Sequence, residues 1–217
     1  LTPITVVGQN INDITCFGAA DGSVQFTVSG TTNFNYTING GSSTAGTSPV
    51  VLTGLTAGTY TLIVTDTITN CNATASLTVN GPSSALAIST TVTPITCVQN
   101  GSVVINATGG WGGNSYSLTL PDGSVLPGQS NTTFVNLTQA GTYTVSVVDA
   151  NNCTVTATFD LNTPDAPIAS IDVASDLCYD GTNGATLEVT VTSGQAPYEY
   201  SINGGSYQTN NIFANLV

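Results

Sequence analysis

The sequence predicts an all-β chain of tandem immunoglobulin-like antiparallel β-sandwich modules, each about 81 residues long. Three observations carry that expectation. Cys16, Cys97 and Cys178 stand 81 residues apart, and Cys71 and Cys153 stand 82 apart, so one module length recurs along the chain. Thr supplies 38 of the 217 residues and, with Val, Ile and Tyr, gives the β-branched and aromatic enrichment that suits a pleated, half-solvated surface. Short apolar runs bounded by Gly, Asn or Asp recur roughly seven times per period, and no stretch of about ten residues sustains a 3.6-residue apolar repeat.

Each copy can be followed in order. After the first cysteine comes an Asx-Gly turn and a strand: Asp21-Gly22 leads to Ser-Val-Gln-Phe-Thr-Val, Asn100-Gly101 to Ser-Val-Val-Ile-Asn-Ala, and Asn183-Gly184 to Ala-Thr-Leu-Glu-Val-Thr-Val. A Gly-containing loop follows, and a tyrosine opens the next strand at Tyr36, Tyr116 and Tyr200. Further on, Leu55-Thr-Ala-Gly58-Thr-Tyr60 matches Leu137-Thr-Gln-Ala-Gly141-Thr-Tyr143, each continuing as an alternating strand to Asp66 or Asp149. Tyr60 and Tyr143 have the position of a tyrosine corner, whose hydroxyl bonds back to the backbone just upstream. A second cysteine and a last strand, Ala73 to Val79 or Thr154 to Leu161, close the copy. Pro-containing linkers at Asn80-Gly-Pro and Asn162-Thr-Pro place module boundaries near 81 and 163. The expected domains are 1–81, 82–163 and a partial third copy over 164–217, which stops before its Gly-Thr-Tyr strand.

Composition narrows the function. The chain has no Lys, Arg or His against 12 Asp plus Glu, a net charge of −12. It can form no internal side-chain salt bridge, and it lacks the positive surface that nucleic acid or an anionic membrane requires. No apolar run approaches the ~20 residues of a helical membrane span, so an export signal or anchor is expected elsewhere. Without His, Lys or Arg, the usual catalytic bases and oxyanion-stabilising cations are missing, and no carboxylate pair of the glycosidase kind recurs in both complete copies. A non-enzymatic role is expected, since repeats supply length and valency.

The pattern Cys, Asx-Gly, a Gly-rich loop to Tyr, then Leu-x-x-Gly-Thr-Tyr-x-Val-x-Val-x-Asp and Cys resembles the SprB repeat of gliding-motility adhesins from Bacteroidota. The family's Gly-Gly-x-Pro-Tyr loop survives best as Gly194-Gln-Ala-Pro197-Tyr198, and its Gly before the second cysteine is Asn70 and Asn152 here. The resemblance implies a very large surface protein, exported by type IX secretion, associated with the outer membrane and carried along the cell surface to grip the substratum. Expected partners are then a surface polysaccharide or other extracellular ligand, neighbouring copies of itself, and the secretion and motility machinery of the envelope.

Two cysteines per copy without any His favour disulfides over zinc, and hence an oxidising, extracellular setting. Pairing within copies, Cys16 with Cys71 and Cys97 with Cys153, closes loops of ~55 residues and leaves Cys178 unpaired in this segment. Strand parity allows a second pattern. In a strict seven-strand sandwich the two cysteine positions lie at opposite ends, and the bond then joins neighbouring copies, Cys16 to Cys153.

Asp21, Asp66 and Asp149 read as turn caps, with calcium as the sharper alternative. No cofactor is otherwise expected, and the linker carboxylates Asp165, Asp172, Asp176 and Asp180 are the calcium candidates. Trp111, in Gly109-Gly-Trp-Gly-Gly113, is a candidate either for packing over the sandwich end or for stacking on a glycan. Thr67, in Asp66-Thr67-Ile68, matches a short O-glycosylation signal. The leading expectation is an adhesin stalk used in surface attachment or gliding. The alternatives are a self-assembling filament or surface layer, and a carbohydrate-binding array on a secreted enzyme.

Overall fold

The computed structural model describes residues 2–172, 175–179, 181, 182 and 184–217, and every regular element in it is a strand. The first copy contributes seven: β1 (Thr5–Asn12), β2 (Gly22–Ser29), β3 (Phe34–Ile38), β4 (Thr44–Gly46), β5 (Val50–Leu55), β6 (Gly58–Asp66) and β7 (Asn72–Val79). They form two sheets, ordered β1-β2-β5 and β4-β3-β6-β7. The second copy repeats the scheme with β8 (Ala87–Thr93), β9 (Gly101–Thr108), β10 (Ser115–Thr119), β11 (Val125–Gln129), β12 (Thr133–Leu137), β13 (Gly141–Val148) and β14 (Thr154–Leu161). Its sheets are ordered β12-β9-β8 and β11-β10-β13-β14. Three plus four antiparallel strands in this order make an immunoglobulin-like sandwich whose short fourth strand joins the third rather than the opposite sheet.

Alternation explains the layers. Along β2, Val24, Phe26 and Val28 are buried while Thr27 and Ser29 face water, and along β6 Leu62 and Val64 point inward. With Ile14, Phe34, Val50 and Val79 they form the first core. In β13 the same rule buries Tyr143, Val145 and Val147. Pairing is regular in the four-stranded sheet, Phe34↔Asp66 to Ile38↔Leu62 and Gly58↔Val79 to Thr65↔Asn72, while the other sheet shifts register at Asn10/Asn12 and at Gly22/Ser23.

The chain divides into two compact units. One comprises Leu1–Val92, Val103–Phe134 and Gly141–Asp160, and thus holds the whole first copy with most of the second. The other comprises Thr93–Ser102, Val135–Ala140 and Leu161–Val217. This second unit contains β15 (Ile168–Ile171), β16 (Ala185–Ser193) and β17 (Ile212–Leu216) in one antiparallel sheet, with an isolated bridge between Tyr200 and Gln208. Among the described residues, no helix is long and apolar enough to cross a membrane.

The corners are held by side chains. Tyr60 donates its hydroxyl to the carbonyl of Thr56 at 2.9 Å, tying the start of β6 to the loop before it. Tyr143 is fully buried and stacks on Phe159 with ring centroids 5.2 Å apart. Asn70 and Asn152, one residue before the second cysteines, have φ of 57° and 66°, a left-handed conformation that Asn tolerates and Gly adopts freely. That backbone requirement restricts these two positions to Asn, Gly and the few other residues that tolerate a positive φ.

Candidate functional site

Cys16, Trp111, Asp149 and Cys153 converge where the first copy meets the second. Cys16 lies between β1 and β2, and Cys153 lies between β13 and β14. They form a disulfide with Cα atoms 5.8 Å apart and a sequence separation of 137. The pairing within copies is therefore corrected: Cys71 and Cys97 carry free, exposed thiols, as does Cys178. The reason is the strand parity. Cys71 shares a cavity with Thr2, Pro3, Ile4 and Gly30, at the end where β1 begins and β2 stops. Cys16 follows the other end of the eight-residue β1, a strand about 26 Å long, which no disulfide spans.

Both partners are held in place. Asp21 accepts the Thr15 amide at 3.0 Å and its hydroxyl at 2.5 Å, and the Cys16 carbonyl accepts the Ala19 amide at 2.9 Å. Hydrogen bonds from the Thr15 side chain and then its backbone lower the Asp21 pKa below the usual carboxylate value. On the other side, Asp149 is buried, and its Oδ1 accepts the amides of Asn151 and Cys153, both at 2.9 Å. Its Oδ2 accepts the Trp111 amide at 3.0 Å. Burial pushes the Asp149 pKa up, but the three amides from Trp111, Cys153 and Asn151 outweigh it, and the net shift is downward. Backbone dipoles do the work that a cation would do in an ordinary protein.

Trp111 is the second bridge. Its indole Nε1 donates to the Thr15 carbonyl at 2.6 Å, one residue from the disulfide, and the residue is half-buried. The structure thus uses the indole polar edge at the junction between copies. The glycine run around it has a steric cause. At Gly109, φ is +72° and an added Cβ would lie 2.0 Å from the Ala85 carbonyl oxygen. At Gly110, φ is +63° and a Cβ would lie 2.7 Å from Asp149 Oδ2, while the Gly110 amide donates to Ser84 at 3.0 Å. Only a bare backbone lets the linker run this close. Asp13 anchors the same linker from the first copy, accepting the Asn80 amide at 2.7 Å, and the Ile14 amide donates to the Asn80 carbonyl at 3.1 Å. Cys16, Phe17, Ala85, Leu86, Gly110, Cys153 and Thr154 line a shallow pocket of about 200 Å³ at the disulfide. The roles of Ser84, Ala85 and Gly110 had no signal beyond the glycine run.

The other candidates lie apart from this junction. Asp66 Oδ1 accepts the Ile68 amide at 2.9 Å and the Thr69 amide at 2.6 Å, and its Oδ2 accepts the Thr31 hydroxyl. These bonds, that of Thr31 first, lower its pKa to about 2. Thr67 is exposed and its hydroxyl donates to the Asn33 carbonyl at 3.2 Å. Asp165 is exposed, Asp172 Oδ2 accepts the Thr190 hydroxyl at 2.8 Å, and Asp176 Oδ1 accepts the Cys178 amide at 3.1 Å. Asp180 falls outside the described residues. Among the described residues, no three cysteine or carboxylate side chains come together as a metal site.

Comparison with known proteins places the chain. Among solved structures, it is similar to the three N-terminal domains of the outer capsid protein Hoc of bacteriophage RB49, at 16% identity over 90% of this chain and 70% of that one, with a TM-score of 0.47. A C-terminal fragment of intimin, solved with the intimin-binding domain of its translocated receptor, matches at 19% identity over 81% and 68%, with a TM-score of 0.42. The two immunoglobulin domains IG1+IG2 of DIP-gamma match at 10% identity over 75% and 98%, with a TM-score of 0.44. No curated protein matches the chain. The SprB repeat model matches residues 8–43, 89–123 and 170–207, half of the chain in three places that follow the cysteine period. The chain belongs to the SprB repeat family.

Proposed function

We propose that this chain is a stretch of stalk from a large secreted cell-surface protein, one that acts as an adhesin in surface attachment or gliding motility. The observation that carries the reading is the Cys16–Cys153 disulfide, which joins consecutive copies instead of closing each on itself. A covalent bond, an indole hydrogen bond and a glycine-lined linker contact act at one junction, so that the first copy cannot swing freely against the second. Such a bond also favours an oxidising, extracellular location. The family match supports a surface repeat protein. Length and repetition suit a device that extends a tip or multiplies weak contacts by avidity.

In this reading the chain is not an enzyme. Its partners are a surface polysaccharide or another extracellular ligand, together with the envelope machinery that exports and moves the parent protein. The test is labelling of intact producing cells with antibody raised against residues 1–163. Labelling without permeabilisation, and loss of attachment when the Fab is added, is expected. Labelling that requires permeabilised cells would overturn the surface assignment, and unimpeded attachment would overturn the adhesive one.

A further inference from the structure

We infer that the Cys71 cavity is a second junction surface, a socket for the first-cysteine loop of another copy of this repeat, closed by a disulfide to Cys71. The inference rests on the geometry of the Cys16–Cys153 junction and stands apart from the adhesive reading.

The socket at Cys153 shows what such a surface receives. Ala85, Leu86, Gly110 and Thr154 line it together with Cys16 and Phe17 of the preceding copy. The first copy presents the same construction. Pro3 and Ile4 stand where Ala85 and Leu86 stand, Asn72 where Thr154 stands, and Cys71 where Cys153 stands, all around a cavity of about 340 Å³. The details agree. Gly30 has φ +88° and faces the Pro3 carbonyl oxygen as Gly109 faces that of Ala85. The Asp66 amide donates to the Cys71 carbonyl at 2.9 Å, as Asp149 donates to Cys153 at 3.0 Å. In each copy the aspartate carboxylate caps the loop that leads to the cysteine. One difference is informative: Trp111 has no tryptophan counterpart, because the chain contains only one. The Cys71 socket lacks the indole bond and depends on the covalent one.

The chain also carries the complementary loops. Cys97 and Cys178 are exposed, and each is followed, like Cys16-Phe17, by a large exposed apolar residue: Phe17 is 55% exposed, Val98 96% and Tyr179 55%. One socket and two such loops on a single chain form a heterologous pair of surfaces. Association of such a loop with such a socket is heterologous, head to tail.

Bond formation removes two electrons and two protons from the two thiols, so it needs a small-molecule disulfide as oxidant. The Cys71 thiolate attacks that disulfide, forming a mixed disulfide and releasing one thiolate. The docked thiolate of the incoming loop then attacks Cys71 Sγ, forming the chain-to-chain bond and releasing the second thiolate. Each released thiolate takes up one of the two protons, and the small disulfide ends as two thiols.

The test is incubation of the full 217-residue chain with oxidised glutathione, followed by non-reducing electrophoresis and mapping of linked peptides. The expected products are a ladder of oligomers joined by Cys71–Cys178 or Cys71–Cys97 bonds. Asn72→Trp fills the socket on an exposed strand residue and leaves the thiol in place. This variant is expected to lose the oligomers while Cys71 is alkylated by iodoacetamide as fast as in the parent. Oligomers joined by Cys71–Cys71, by Cys97 and Cys178 without Cys71, or unaffected by Asn72→Trp would show exposed-thiol chemistry without docking and would overturn the inference. So would glutathione adducts at Cys71 with no chain-to-chain bond.

Discussion

Replacing Cys153 with Ser opens a covalent loop of 137 residues, and its cost follows from the size of that loop. In the chain-entropy account, closing a loop of this length removes about 5 kcal/mol of freedom from the unfolded chain at 25 °C. If only the first copy unfolds, the unfolded part of the loop shrinks to about 65 residues, yet the logarithm lowers the figure only to about 4 kcal/mol. Guanidinium denaturation of the full chain, followed by tryptophan fluorescence, reads this directly because the single tryptophan sits at the junction. The midpoint of Cys153→Ser is expected to fall by the equivalent of about 4 kcal/mol, and reducing the parent chain should reproduce the loss. Cys71→Ser, which removes an exposed free thiol, should leave the midpoint in place. An unchanged midpoint in Cys153→Ser, or an equal loss in Cys71→Ser, would refute the reasoning.

Three further outcomes are expected. Gly109→Ala should cost about 2 kcal/mol or more in denaturant unfolding, since its Cβ would meet the Ala85 carbonyl at 2.0 Å, while Gly112→Ala, at φ +76° with open space around it, should cost only about 1. The Asp66 pKa is lowered from 3.8 to about 2 on folding, so its contribution is complete above about pH 4 and is lost as the pH falls toward 2; Asp66→Asn should flatten stability against pH in that window, read by urea denaturation at successive pH values. Tyr60→Phe removes the bond to the Thr56 carbonyl and should lower stability by about 1 kcal/mol in the same assay.

The sandwich was legible because its signals are local and repeated. A cysteine every 81 residues, Asx-Gly before a strand and Leu-x-x-Gly-Thr-Tyr after a loop each state a backbone requirement where it occurs. The disulfide was legible only in part. Two cysteines per period suggest a bond within the period, and only the parity of seven strands reveals that Cys16 and Cys71 lie at opposite ends of β1. Parity raised the bond to the next copy, but sequence spacing alone could not choose it over the local pair. Trp111 was visible as a lone aromatic in a glycine loop. Its partner, a backbone carbonyl 96 residues away, leaves no trace in side-chain identity. The same holds for Gly109 and Gly110, whose reason is the path of the linker past them.

The most direct test of the account is non-reducing peptide mapping of the freshly purified chain, alkylated before digestion with a protease that cuts at acidic or aromatic residues, since the chain offers no Lys or Arg. The account predicts one linked pair, the Cys16 peptide joined to the Cys153 peptide, with Cys71, Cys97 and Cys178 alkylated. A Cys16–Cys71 or Cys97–Cys153 link, or an alkylated Cys16, would contradict it.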